Sequence, residues 1–425
     1  MIAQAPAGRS TRIAARSASS ALRLNSSLRC RPPAQTWQLA STLMADLGIS
    51  RVTDITRMDR LGLPVFASVR PRGQVLRVHA GKGIETAEAQ VGALMEAVEY
   101  AVADPAATRW QGRSLSRQEL ARLWHGLLSW DDLPRRVDAD WPAEAQVLTV
   151  VTEDLRTGQP VPLPAELVFF PFESAPQSAV FGSNTTGLAS GNSVDEATLH
   201  GLLEVLERDA LSMNKPRDCS LWLRLNSLPA PVRGLARRWQ RLGVKLAVRY
   251  VPNDFGLPCF DATLFERDGA PIELAAGSGL HFDPQIALVR AVCEAAQSRL
   301  SSIHGGRDDL TRFYDQLGDP AARAAAIAQQ CSRRFNRRQS IGFDEIAVPI
   351  RAYKTLPATL RGLLRHLEQQ GFSTVLRYQF ERPLNGLAVV KVVVPRCEDV
   401  EHNSRRIGKR LRSLLMLRSL PQRDG

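Results

Sequence analysis

Apolar and polar positions alternate along this chain in two rhythms, short runs of period two and long runs of period 3.6. Residues 36–57 read as a short helix and loop, and residues 63–69 as a strand of small and β-branched side chains. A second strand is expected over 75–79. Gly81-Lys82-Gly83 then leads into a helix over 86–104, with Val91, Leu94, Met95, Val98 and Val102 at helical spacing. Ser116 and Glu119 form a capping box for another helix. Residues 146–164 read as strand, turn and strand, and 193–212 as a second long helix. Strands are expected near 244–251, 257–266 and 271–276. Asp283-Pro284, a capping residue before proline, opens a third long helix reaching about residue 303. An Ala-rich helix over 320–335, a basic connector, a helix ending at Gly371 and strands over 373–379 and 387–394 complete the body. No repeat of fixed period is present. The pattern predicts an α/β class of mixed α+β character, with long helices packed on mixed sheets.

Three of these helices carry acidic or amide side chains at i and i+3: Glu96/Glu99, Glu204/Glu207 and Glu294/Gln297. No lysine is spaced to neutralise them, and like charges on one helix face repel. On the second helix Glu196, Glu204 and Glu207 fall within an arc of about 80°, opposite Leu199, Leu202, Leu203 and Leu206. On the third, Arg290, Glu294, Gln297 and Ser301 form one stripe opposed to Ile286, Val289, Val292 and Cys293. A solvated face would explain any single pair. Three pairs on three helices call instead for a shared cation, and oxygen-rich sets of this kind suit hard divalent ions beside phosphates.

Small-residue segments adjoin these helices. Gly81-Lys82-Gly83 sets a lysine between two flexible residues, and residues 183–193 (SNTTGLASGNS) form a loop feeding the second helix. Free N–H groups in such loops and at helix N-termini bind anions. Neither segment matches the P-loop or the dinucleotide-binding fingerprint, which excludes those standard sites. Ser193-x-x-Glu196 is also a capping box, so Glu196 has a purely structural reading.

Charge and composition narrow the class. Of the net +12, residues 1–45 hold +6 and residues 401–425 hold +5, so the body between them is nearly neutral. A surface tracking nucleic-acid phosphates is not supported, and no apolar run reaches the roughly 18 residues of a membrane helix. The chain reads as soluble. Six cysteines lie scattered without a C-x-x-C pair or a histidine at zinc spacing, which argues against a zinc site or disulfide framework and fits a reducing cytoplasm. Residues 1–35 are rich in Arg, Ser and Ala, and composition leaves open a disordered basic tail or a transit peptide. The expected organisation is that tail, a catalytic domain over 36–400, and a basic C-terminal helix or tail over 401–425.

These segments resemble the YcaO family. Residues 187–193 (GLASGNS), continuing through Glu196-Ala197 and 200–210 (HGLLEVLERDA), are similar to its central motif. Residues 287–299 resemble its third motif, and 63–65 with 81–83 and 96–99 its opening one. Gly92, Tyr100 and Thr186 stand where the family often has Ser, Arg and Asn. The resemblance covers roughly 45–395. It implies the family's own fold, a homodimer, and ATP with Mg2+ between the helices. By motif, Glu96, Glu99, Glu196, Glu204, Glu207 and Glu294 are implied metal or water-mediated metal contacts. Lys82, Asn192, Arg208, Gln297 and Arg299 are implied nucleotide contacts.

The implied reaction is ATP-dependent phosphorylation of a backbone amide oxygen in a peptide or protein substrate. The end of the sequence, 419–425, lacks the alternating prolines of azoline-forming cyclodehydratases and resembles members that work beside a TfuA-type partner, which points to thioamide formation. Azoline formation, and a non-catalytic accessory role in methylthiolation of a ribosomal protein, remain the alternatives.

Overall fold

A computed structural model of the chain describes residues 20–419, apart from 107, 140, 143, 173–178, 267–273, 307–324, 326–328, 330–338 and 401–405. Eight α-helices lie among the described residues: α1 (Pro33–Ser41), α2 (Thr86–Ala103), α3 (Arg117–Leu123), α4 (Val194–Asn214), α5 (Ala230–Arg241), α6 (Pro284–His304), α7 (Leu356–Gln369) and α8 (Lys409–Ser419). They pack on three principal sheets. The first joins Arg51–Asp54, Val65–Val69 and Val78–Lys82 in antiparallel order. The second runs Leu188–Gly191, Ala388–Val393, Leu376–Gln379, Gln146–Asp154 and Arg113–Ser116, with Pro160–Pro164 also paired to Gln146–Asp154. The third runs Leu274–Leu280, Cys259–Glu266, Val244–Tyr250, Leu221–Leu223 and Ser340–Ile341. Its last pair is parallel, so the expected mixed sheet and the α/β class are both present.

One local arrangement recurs three times. A strand containing glycine runs straight into an acid-bearing helix, which folds back over that strand. A Cβ on Gly81 would lie 2.1 Å from the Ala89 carbonyl oxygen of α2, one on Gly191 2.6 Å from the Ala197 nitrogen of α4, and one on Gly277 2.2 Å from the Ala295 nitrogen of α6. Only glycine permits that approach. The apolar sides of the helices close separate cores: α1 and α2 with the second sheet, α4 with α7, and α5 with α6 against the third sheet. The acidic sides are left facing one another.

The capping predictions hold at Ser116, whose side chain accepts from Glu119 N while Glu119 returns to Ser116 N, and at Asp283 before Pro284. Other expectations shift. The strand placed at 75–79 forms at Val78–Lys82, so Gly81 and Lys82 are strand residues and the glycine serves close packing. Part of the loop over 183–193 is the strand Leu188–Gly191, paired with Ala388–Val393. Helix α5, with a strongly amphipathic pattern, was not anticipated. The Ala-rich helix over 320–335 falls outside the described residues, apart from 325 and 329.

The boundary at residue 35 lies inside the folded body. Leu22–Arg23 pairs with Leu28–Arg29, and Arg23 Nε donates to Asp283 Oδ2 at 2.7 Å. Cys219, Cys259, Cys293 and Cys397 are free thiols. Among the described residues, no helix is long and apolar enough to cross a membrane.

Candidate active site

Helices α2, α4 and α6, with their preceding strands and the segment over 24–36, enclose a cavity of about 1010 Å3. Ten of the eleven residues singled out from the sequence border it: Lys82, Glu96, Glu99, Asn192, Glu196, Glu204, Glu207, Arg208, Glu294 and Gln297. Arg299 does not. Its Nε donates to Asp59 Oδ2 at 3.0 Å and an Nη forms an ion pair with Glu266 Oε2 at 2.8 Å, off the cavity wall. Two residues past Gln297, and so about 200° round α6 from it, its side chain leaves on another face of the helix.

Each acid sits in its own electrostatic setting. Glu99 Oε1 accepts from Ser190 N and Ser190 Oγ at 2.8 and 2.6 Å. Burial, against those bonds and with Glu96 and Glu204 nearby, pushes Glu99 up to about 8. Glu204 is pushed up to about 7, by burial first, with Arg208 opposing and Glu207 adding. Burial would raise Glu294 as well, but Lys82 above all, then Arg208, hold it below the ordinary value. Lys82 Nζ lies 2.9 Å from Glu294 Oε2. The acids of different helices thus act on one another across a single space.

Three further acids accept from protein donors. Glu196, 2% exposed, accepts from Cys30 N at 2.8 Å, Asn192 Nδ2 at 3.0 Å and an Arg29 Nη at 3.3 Å. Its backbone N–H donates to Ser193 Oγ, but its carboxylate turns to these partners, so only half of the capping box forms. Glu207 accepts from Ser278 Oγ at 2.6 Å and Leu280 N at 3.0 Å. Glu96 accepts from Ala80 N at 3.3 Å. Asn192 Oδ1 in turn accepts from Thr36 Oγ1 at 2.9 Å.

Arg29 and His200 also border the cavity, and no motif reading had given them a role. Arg29 belongs to a segment that composition sets aside. His200 lies one turn from both Glu196 and Glu204, and burial, with Arg29 and Arg290 near, keeps its imidazole well below its ordinary value and so neutral.

Seven acids and seven Lys or Arg side chains border the cavity, but they are not evenly paired. Among the described residues neither Glu99 nor Glu204 pairs with a cation within 4 Å, and the buried Gln297 Oε1 has no hydrogen-bond partner. No group of three His, Cys, Asp or Glu side chains among those residues could hold a metal ion alone. Magnesium beside a nucleotide takes one or two carboxylates and completes its shell with phosphate oxygens and water. The residues fit such an ion when it arrives with a phosphate, and they do not form a preformed metal cage.

A family model described as YcaO cyclodehydratase, ATP- and Mg2+-binding, matches residues 80–398. A protein of Methanothermobacter thermautotrophicus, described as uncharacterized, is 30% identical over 404 residues, covering 90% of this chain and 98% of its own. A Rhizobium leguminosarum bv. trifolii protein, described as an uncharacterized protein in the tfuA 3' region, is 29% identical over 87% of this chain and 88% of its own. The solved YcaO from Methanopyrus kandleri, bound with AMPPCP and Mg2+, superposes with a TM-score of 0.72 at 23% identity, covering 92% of this chain and 98% of that one. A heterocyclase solved in complex with substrate and cofactor superposes with a TM-score of 0.70 at 20% identity over 90% of this chain, which spans 55% of that protein's length. At these identities the superpositions show the fold.

Proposed function

Because the chain belongs to the YcaO family, whose members are ATP- and Mg2+-binding cyclodehydratases, we propose that it activates a backbone amide of a peptide or protein by transferring the γ-phosphoryl group of ATP to the amide oxygen. The observation that carries this reading is the convergence of acids from three helices on one cavity, with neither Glu99 nor Glu204 in an ion pair within 4 Å among the described residues. In this reading Glu96, Glu99, Glu196, Glu204, Glu207 and Glu294 would hold the ions, directly or through water. Bound Mg2+ supplies charge neutralisation at the phosphates. Lys82 and Arg208 border the transferred group, and Asn192 and Gln297 the rest of the nucleotide. The orphaned Gln297 oxygen suits the amino group of the base. Arg299 is left out, its guanidinium being engaged elsewhere.

An amide carbonyl is a weak electrophile and its oxygen a poor leaving group, which is why a phosphoryl donor is needed. The nucleophile bonds to the carbonyl carbon, and the oxygen so released from its double bond attacks the γ-phosphorus, expelling ADP. Collapse of the adduct then breaks the carbon–oxygen bond and releases phosphate. Lys82 and Arg208, on the cavity wall, offset the charge that builds on the oxygens.

With sulfide as nucleophile the product is a thioamide, and with an adjacent Cys, Ser or Thr side chain it is an azoline. The Rhizobium relative named for its tfuA neighbourhood supports the thioamide branch beside a TfuA-like partner. The family's cyclodehydratase description keeps the azoline as the second reading. Incubation of the chain and its partner with ATP, Mg2+, sulfide and candidate peptide decides by mass. Exchange of oxygen for sulfur adds about 16 Da by elementary composition, whereas loss of water would overturn the thioamide reading. Glu204→Gln, which keeps shape and removes charge, should cut ATP turnover at least about 100-fold while the protein stays folded by circular dichroism. Undiminished turnover in that variant would remove Glu204 from the machinery, whereas absence of turnover in the parent chain would leave an accessory role instead.

A further inference from the structure

The cavity extends past its acids. Side chains between Glu88 and Tyr100 of α2 border it, and the twelve helical steps between those two residues span about 18 Å. Its volume of about 1010 Å3 is at the upper end of what single small-molecule sites occupy, roughly 300–1,000 Å3, so a second reactant fits beside a nucleotide.

Beyond Glu99 the wall changes character. Tyr100 and Phe170 meet edge-on, with ring centroids 5.5 Å apart, and Phe170 N donates to Ala103 O at 3.0 Å. Leu76 borders the same cavity from a turn in which Gly73 N donates to Arg70 O. Buried Arg70 is attracted to Asp104, just past α2, which ties that turn to the end of the helix. Leu76 is held at φ +38°, a strained conformation for a residue with a Cβ and one that concentrates at functional sites. Leu76, Tyr100 and Phe170 carry no charge and are all partly exposed on the cavity wall. Arg136, a cation also bordering the cavity, is paired with Asp138 at 2.8 Å. Apolar surface left open beside a charged site is unfavourable until something covers it.

We propose that Leu76, Tyr100 and Phe170 form a seat for an uncharged, apolar or aromatic side chain of the substrate, next to the amide that is activated. The inference rests on the amide-activation reading above. Tyr100 follows Glu99 directly, and one extended residue spans about 3.5 Å, so a side chain in this seat carries its own backbone to the acids. An acidic side chain there would meet Glu96 and Glu99. The base of the nucleotide is the competing occupant of an aromatic rim, and the partnerless acceptor of Gln297 on α6 offers that base a polar partner elsewhere.

The test uses the full chain saturated with Mg2+ and AMPPCP, and measures NMR saturation transfer to N-acetyl methylamides of phenylalanine, glycine and aspartate. The phenylalanine amide should bind about tenfold better than the other two, the gain expected from covering part of an aromatic side chain. Tyr100→Ala and Phe170→Ala should each bring it down to the glycine level. Tyr100→Phe should keep the preference, and the AMPPCP Kd should stay within about twofold in all three variants. Equal binding of the three amides by the parent chain, or an unchanged preference in both alanine variants, would overturn the seat. So would a parallel loss of AMPPCP affinity in those variants, which would assign the rim to the base. If the parent chain fails to bind AMPPCP at all, the amide-activation reading falls and takes the seat with it.

Discussion

Arg299 is two residues beyond Gln297 of α6, in a motif that suggests a nucleotide contact. Its guanidinium nevertheless bridges Asp59 and Glu266, and all three side chains are nearly buried, at 7%, 5% and 10% exposure. Removing one member of such a group leaves uncompensated charge in the interior. Arg299→Ala should therefore lower stability by about 3 kcal/mol in urea unfolding, with nucleotide affinity unchanged by calorimetry. A specific loss of nucleotide affinity at unchanged stability would restore the role its motif suggests. Glu196 is the reverse case. Its sequence position allows a helix cap, but Arg29, Cys30 and Asn192 draw its carboxylate to the cavity.

Among the elements, the glycine-bearing strands determine where the acids go. Gly81 lets α2 lie directly on Val78–Lys82, which brings Lys82 within reach of Glu294 on α6. Gly81→Ala would drive a methyl into the backbone of α2, and a cost of about 3 kcal/mol or more is expected, read as a lower urea midpoint. Gly92 lies across the same contact, yet a Cβ there meets Gly81 Cα at an ordinary 3.6 Å. Gly92→Ala should instead gain about 0.5–1 kcal/mol from helix propensity and reduced chain entropy. Equal losses in the two variants would mean that the close approach is not what selects glycine at 81. Helix α5 escaped the sequence reading because its arginines mask a short apolar face made by Val232 and Trp239. The strand Leu188–Gly191 escaped because small residues read as a loop until a partner strand, Ala388–Val393, is present to pair with them.

On the scale of the molecule, the price of assembling this site falls on the ligand-free chain. Burial raises Glu99 to about 8 and Glu204 to about 7, from an ordinary 4.5. Between those values and 4.5 the folded chain holds protons that the unfolded chain releases. Its stability is thus full below about pH 4.5 with respect to these groups, and falls as pH rises toward 8. Thermal melting in EDTA should show a midpoint that declines from about pH 5.5 to 8. Mg2+ with AMPPCP should flatten the decline, and Glu99→Gln should make it shallower. A midpoint that is level or rises across that window would contradict the burial of these acids.

Local pattern was sufficient for the three long helices, the caps at Ser116 of α3 and Asp283 of α6, the shared faces of the acids, and the motifs that mark the family, because periodicity and capping depend on residues within a few positions of one another. Tertiary structure alone decided that the three faces open on one cavity, that Arg299 turns away from it, and that residues 22–31 lie against Glu196. Those facts depend on groups 91 to 240 residues apart, and no spacing along a chain encodes which distant carboxylate a guanidinium or backbone N–H will reach.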